Sequence, residues 1–565
     1  MSVLKTEVRP GGYYDSIVLM QLQAALADLP GVEDAGAVMA TPENRALLEA
    51  SGLMSDVAVE AGPADLLVVV RAETEDAATD ALSRVDGLLV RGGTGGGDDY
   101  RPRSLESALK VLPEARWALV STPGRFAAGV AREALDRGLN LFLYSDNVTV
   151  EDEVALKRRA AADGRLVMGP DCGTALIAGV GFGFANRVRR GSIGLVAASG
   201  TGLQAISSHV HALGGGVSHA IGTGGRDLAE EVGALTARQG LDLLARDPGT
   251  EVIVLVSKPP VPSVARSVLG AARGTGKPVV VHFLGFAPPA RRIGSLYFAT
   301  SLPEAAWMAV DLAKSAGAVV DAEKDPRGED GGASAGGYLR GLFAGGTLAS
   351  ESLLALKNFL DPLHSNMKGD TIRPLEAVPR SEFHTILDLG ADEYTVGRLH
   401  PMIDNDMRVR RIAQEAADPE VGLILLDLVL GDGAHPDPAG ELAPAIAEAR
   451  RSRDLEFVVV VVGTDEDPQD LASQVAALED SGALVFEDLT SALSRVVDRL
   501  VEVVPPPLPP VEVELLSAPV VAVNIGLESF SESLADQGAQ AVHLDWNPPA
   551  GGDDQLMAIL ERMRR

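Results

Sequence analysis

Ile193-Gly-Leu-Val-Ala-Ala-Ser-Gly-Thr-Gly-Leu-Gln204 decides how this chain folds. Its first half is an apolar run of strand type, and its second half opens a helix. A buried strand feeding a helix through small residues is the repeating unit of α/β proteins with parallel sheets. Ser199, Gly200, Thr201 and Gly202 fall on the turn between the two. There the first backbone N–H groups lack helical partners, and the helix dipole supplies about half a positive charge. A phosphate or carboxylate suits such a place. An ordinary well-capped helix explains the same four residues.

Working outward, the same physics recurs at Gly341-Leu-Phe-Ala-Gly-Gly-Thr-Leu-Ala-Ser-Glu351, where Gly345, Gly346 and Thr347 precede a helix. Two helix starts converging on one anion would each contribute roughly 0.3–2 kcal/mol. Ile221-Gly-Thr-Gly-Gly-Arg-Asp227 is a glycine loop with one cation, Arg226, and reads either as a phosphate loop or as a tight turn. Met168-Gly-Pro-Asp-Cys-Gly-Thr174 follows a strand, and its proline and glycines fix a sharp loop. Cys172 there is a nucleophile candidate set against the commoner role of inert packing. Arg398 and His400, with arginines at 408, 410 and 411, suit a carboxylate or oxyanion substrate, or else a solvated helix face. Ser121-Thr-Pro-Gly-Arg125 precedes a helix and could face a pyrophosphate, but lacks the full glycine fingerprint of dinucleotide sites. No spacing makes a convincing metal site.

At 565 residues the chain exceeds one core and predicts several domains. Alternation from Leu4 to Val90 predicts a ferredoxin-like α+β domain over 1–95. Strand–helix units then predict parallel-sheet domains over 104–190, 191–320 and 336–504. Val90–Asp99, Asp321–Gly337 and Pro505–Pro510 read as linkers. The tail, 511–565, predicts one strand with one or two helices and is too short for a large core, so it reads as a partner-docking segment.

The net charge of −30 and the lack of a basic stripe argue against nucleic acid as a partner. Cys172 is the single cysteine, which excludes an intrachain disulfide and a thiolate-rich metal site and favours the reducing cytoplasm. The first residues lack a signal-peptide pattern. The apolar runs Val458–Val462 and Leu423–Leu430 fall far short of a membrane span and read as buried strands.

These segments, in this order, resemble succinyl-CoA synthetase over most of the chain. Gly169-Pro-Asp-Cys-Gly is similar to a loop of its α subunit, and Ile193–Thr201 to its phosphate-binding helix start. Residues from about Gly337 to Leu500 resemble the C-terminal domain of its β subunit. The fusion, with its small N-terminal domain, is that of FdrA proteins. The resemblance implies Rossmann-like and flavodoxin-like domains. It also marks two departures. Ser295 follows Arg291-Arg-Ile-Gly294 where the synthetases carry their active histidine, and Lys258 stands where a glutamate supports it. A serine cannot carry a phosphoryl group as a phosphoramidate, and no ATP-grasp domain fits between the two halves.

FdrA resemblance implies a subunit of a hetero-oligomeric carbamoyltransferase acting on oxamate or a related amide, with carbamoyl phosphate or phosphate at the paired helix starts. Under this expectation Ser199, Gly200, Thr201, Gly202, Gly345, Gly346 and Thr347 hold phosphoryl oxygens, and Lys258 adds a cation. Thr201, Thr347 and Lys258 are the catalytic candidates; Arg226, Arg398 and His400 contact the substrate. One rival is an acyl-CoA-synthetase-like protein that binds CoA at Ser121, Pro123, Gly124 and Arg125 and takes ATP chemistry from another chain. The other is a scaffold that has lost catalysis.

Overall fold

A computed structural model describes residues 2–9, 16–59, 61–62, 65–91, 101–284, 290–316, 336–367, 373–375, 380–501 and 509–548. Most of the three expected linkers lies outside these residues. The chain forms two compact units, one of residues 1–114 with 523–535 and 541–565, the other of 115–522 with 536–540.

The first unit carries the antiparallel sheet β1 (Val3–Arg9), β2 (Val32–Met39) and β3 (Leu66–Ala72), in the order β1-β3-β2. Helix Ser16–Ala27 connects β1 to β2 and helix Glu75–Ser83 follows β3, so the sheet carries three strands of the expected ferredoxin-like pattern. Val68 and Val70 face one apolar cluster and Leu67 and Val69 the other, as period-two alternation requires. Arg101 binds Glu528 at 2.7 Å and the Asp545 N–H donates to the Pro102 carbonyl, so part of the tail is built into this unit.

In the second unit, β4 (Trp117–Val120), β5 (Asn140–Leu143) and β6 (Val167–Met168) are parallel and joined by helices Gly124–Asp136 and Val150–Ala162. An eight-stranded sheet follows. It contains β7 (Thr174–Ile177), β8 (Val180–Gly183), β9 (Arg190–Ala197), β10 (Val217–Gly222), β11 (Val252–Ser257), β12 (Val279–Phe283), β13 (Arg292–Ile293) and β14 (Leu296–Phe298). Its order is β13-β14-β12-β11-β9-β10-β7-β8. The hairpin β7–β8 lies inside the range expected for the preceding domain, yet β7 pairs with β10. Its strands are short and follow a loop, so apolar periodicity alone does not mark them.

A seven-stranded sheet completes this unit: β15 (Tyr338–Phe343), β16 (Leu363–Ser365), β17 (Arg373–Pro374), β18 (His384–Asp388), β19 (Val421–Val429), β20 (Glu456–Val462) and β21 (Leu484–Phe486), in the order β17-β16-β18-β15-β19-β20-β21. Every strand pairing in it is parallel. Buried on both faces, β19 reads as the near-continuous apolar run such strands need. The tail differs from expectation in having two strands, β22 (Val521–Ile525) and β23 (Gln540–Leu544), around helix Glu528–Asp536. No helix among the described residues is long and apolar enough to cross a membrane.

Candidate functional site

Carboxyl ends of parallel strands are where α/β proteins place ligands. At the ends of β9, β10 and β11 lies a cavity of about 320 Å3. Four segments that are separate in sequence line it: Asp171–Thr174, Ala197–Thr201, the glycine loop at 222–225, and Lys258, with Phe184 and Gln204 at its side. Helix Gly200–Ala212 points its start into this space. Ser199 caps the helix, its hydroxyl accepting from the Gly202 N–H at 3.1 Å. Thr201 and Lys258 are exposed, Ser199 and Gly200 half-buried.

The walls are held by close backbone approaches that only glycine allows. A Cβ on Gly222 would lie 2.5 Å from the Cys172 sulfur and 2.4 Å from the Thr174 carbonyl oxygen. Gly224 has φ +84 and passes the Pro170 carbonyl, so loop 168–174 and loop 221–227 form one surface. Cys172 is buried, and burial pushes its thiol up to about 12. It stays protonated near neutral pH, and a thiol is a poor nucleophile without its thiolate. Cys172 packs; it does not attack.

Arg226 turns away from the substrate role expected of it. Its guanidinium donates to Glu153 at 2.9 Å and to the Val148 carbonyl at 2.7 Å. Gln204 and Phe184 were not singled out from the sequence: Gln204 donates to the Phe184 carbonyl at 2.5 Å, and Tyr144 meets the Phe184 ring edge-on at 5.6 Å. No motif marks them, because the β8 hairpin alone delivers Phe184 to the cavity.

Gly345, Gly346 and Thr347 do not line this cavity. Helix Gly346–Leu356 instead starts among the chain's own carboxylates. A Cβ on Gly346 would sit 2.8 Å from Asp388 Oδ2, and the Ala344 N–H donates to Asp427 at 2.7 Å. Asp427 is fully buried against Arg408 at 3.0 Å, and burial raises its pKa. Negative charge already occupies the place where the dipole would draw an anion. His400 stands near Gly390, and Arg398 is exposed; neither lines the cavity.

Ser121, Pro123, Gly124 and Arg125 lie at the end of β4. A Cβ on Gly124 would be 2.1 Å from the Asp146 carbonyl oxygen, so packing alone requires this glycine. The Arg125 guanidinium covers the Phe126 ring at 4.6 Å. This loop neighbours the cavity: Ser145 donates to the Thr122 carbonyl at 2.6 Å, and the Asp171 N–H donates to the Ser145 carbonyl.

Ser295 occupies the turn before β14, and its carbonyl accepts from the Val279 N–H at the beginning of β12. Lys258 follows the opposite end of the neighbouring β11. Five residues of strand separate the two levels, roughly 16 Å. Even a histidine at 295 would therefore stand at the wrong end of the sheet, and the adjacent Gly294 is tied to Ser494 at 2.9 Å.

A second hollow of about 490 Å3 lies at the opposite strand ends, around Gly336–Tyr338 and Glu420–Gly422. Arg453 on its wall already donates to backbone carbonyls, among them that of Pro419 at 3.3 Å.

A CoA-ligase family model matches residues 342–497, and a model described as AllF, heavy metal-associated domain, matches residues 1–102. The uncharacterized protein YahF of Escherichia coli (strain K12) is 42% identical over 509 residues, covering 87% of this chain and 97% of that protein. The chain belongs to the FdrA family. The succinate–CoA ligase [ADP-forming] subunit alpha of Aquifex aeolicus is 30% identical to this FdrA protein over 188 residues, 32% of this chain and 60% of that subunit. The malate–CoA ligase subunit alpha of Methylorubrum extorquens is 28% identical over 178 residues, 30% of this chain and 59% of that subunit. A solved acetyl-coenzyme A synthetase 1 from Ca. Korarchaeum cryptofilum aligns over 75% of this chain and 92% of its own, with 18% identity and a TM-score of 0.31. This FdrA protein thus has the parallel-sheet α/β fold of CoA ligases of succinyl-CoA-synthetase type. Residues 1–102 contain neither cysteine nor histidine. The thiolate and imidazole ligands that soft metals take are missing, so the heavy-metal label does not fit this domain.

Proposed function

We propose that the cavity at the start of helix Gly200–Ala212 binds the phosphoryl group of an acyl-type phosphate, and that this FdrA protein is a transferase or ligase subunit working without phosphohistidine. The observation that carries this reading is the convergence of the Ser199–Thr201 turn, the 222–225 loop and Lys258 on one cavity. First-turn N–H groups are fixed donors at the cavity, such preorganisation stabilises developing charge without reorganisation, and Lys258 adds a cation at the edge. Thr201 adds a hydroxyl at the rim. The acyl carbon, bound to the same phosphate, is held for attack by an acceptor, and positioning supplies the rate enhancement.

FdrA membership supports carbamoyl phosphate as that compound, with oxamate or a related amide as partner in the transfer and further subunits completing the enzyme. The second reading, an acyl-CoA-synthetase-like subunit that takes ATP chemistry from another chain, is favoured by the CoA-ligase match over 342–497 and by the α-subunit relatives. It gains from the nearness of the Ser121–Arg125 loop to the cavity, which would put a thiol acceptor beside the acyl phosphate.

The two separate experimentally. Consumption of carbamoyl phosphate with oxamate, measured for this chain alone and with its encoded neighbours, should appear in the reconstituted mixture and fall on Lys258→Ala. Turnover that instead requires CoA supports the ligase-like reading. No turnover with either acceptor would leave neither reading standing.

A further inference from the structure

Behind the cavity lies a buried cluster of charges that sequence reasoning passed over. Lys157, on helix Val150–Ala162, is 1% exposed, and Glu153 and Asp227 are fully buried. The Lys157 ammonium makes three hydrogen bonds: to Glu153 at 2.9 Å, to Asp227 at 2.7 Å and to the Thr223 carbonyl at 2.9 Å. An ammonium has three N–H donors, so all are used. Arg226 completes a balanced quartet through Glu153. Asp227 also caps helix Leu235–Arg246, accepting from the Thr236 and Ala237 N–H groups at 3.1 and 2.8 Å.

Thr223 stands between Gly222 and Gly224, which line the cavity. The Thr223 N–H donates to the Ala197 carbonyl while its own carbonyl accepts from Lys157, so the peptide is fixed from both sides. Glycines alone would leave this wall conformationally free. We propose that Lys157 is the positioning residue of the phosphoryl cavity: it holds the 222–225 wall in register with the Ser199–Thr201 turn. It does so by gripping the backbone between the two glycines, and it touches no ligand. This inference rests on the phosphoryl reading of the cavity and deepens it.

Lys157→Met alone leaves two buried carboxylates without their cation and is expected to destabilise the protein heavily. The informative variant is therefore Lys157→Met with Glu153→Gln and Asp227→Asn, which removes the buried charges and keeps the volumes close. Circular dichroism and thermal melting identify the temperature range in which the full-length triple variant is folded. Within that range, titration calorimetry with inorganic phosphate compares it with the wild type and with Lys258→Ala. The expected result is a folded triple variant that binds phosphate about tenfold more weakly or worse, the scale of one misaligned hydrogen bond to a charged group. A folded triple variant with unchanged affinity overturns the inference alone. If the wild type fails to bind phosphate, the phosphoryl reading falls and this inference falls with it. Should the triple variant not fold, Arg226→Ala, which loosens Glu153 from the half-exposed side, carries the same prediction with a smaller loss, and unchanged affinity there overturns the inference.

Discussion

The two helix starts, Gly200–Ala212 and Gly346–Leu356, come from near-identical sequence patterns and end in opposite electrostatic settings. The first opens on a cavity with Lys258 at its edge. The second is met by Asp388 and Asp427, the latter paired to Arg408 in the core. A glycine and a hydroxyl at a strand-to-helix turn state that something may approach closely. They do not state whether it is a ligand or a carboxylate from a strand end some 80 residues further along the chain. Asp427 answers the question at the second start, and its position in the run Leu423–Leu430 marks it only as one polar residue in a buried strand.

The sharpest break in the comparison is expected on removing that internal anion. Asp427→Ala leaves Arg408 charged, buried and unpaired, and should cost about 3–5 kcal/mol in urea unfolding. The same experiment on the first helix, Ser199→Ala, should cost only about 1 kcal/mol, the ordinary value of a lost cap. Similar costs at the two starts would mean that the second is no more internally filled than the first.

Acid should weaken both sheets through separate histidines. Burial holds His219 beside Asp247 and His384 beside Arg340 down to about 4. In the unfolded chain both titrate near 6.5. Between these values the unfolded state binds protons that the folded state refuses, so stability is full above about pH 6.5 and falls as the pH drops toward 4. The loss is at most on the order of 3 kcal/mol per histidine. Urea midpoints at pH 7 and pH 5 measure it, and His219→Gln and His384→Gln should each flatten the profile by its own share. An unchanged midpoint between the two pH values contradicts the burial of both rings.

Much of the fold was legible because β9, β11, β19 and β20 are apolar runs bounded by glycine and proline. These strands lie where the pattern puts them, and the first unit has its three strands where alternation marks them. The hairpin β7–β8 and the pair β13–β14 were not legible, since two to four residues carry no period. At the site, Ser199, Gly200, Thr201 and Lys258 do converge. Arg226 pairs with Glu153, 73 residues away in the chain, and its glycine loop gives no sign of that partner. Lys157 was invisible for the same reason: a lysine on an amphipathic helix gives no sign that it is fully buried.

Thr347→Ala and Thr201→Ala provide the mildest contrast. Thr201→Ala removes a hydroxyl at the cavity rim and should weaken phosphate binding by about 1 kcal/mol, whereas Thr347→Ala should leave it unchanged. Equal losses would show that the two helix starts act on one anion after all.

Calorimetric titration of the wild-type chain with inorganic phosphate, repeated on Lys258→Ala, tests the central claim most directly. The account predicts one site per chain in the wild type and a loss of about 10- to 100-fold in Lys258→Ala, since a charge-assisted hydrogen bond contributes about 1.5–3 kcal/mol. Thermal stability should be unaltered, because the lysine is exposed. Phosphate binding that survives Lys258→Ala undiminished, or that is lost with Thr347→Ala instead, would contradict the account.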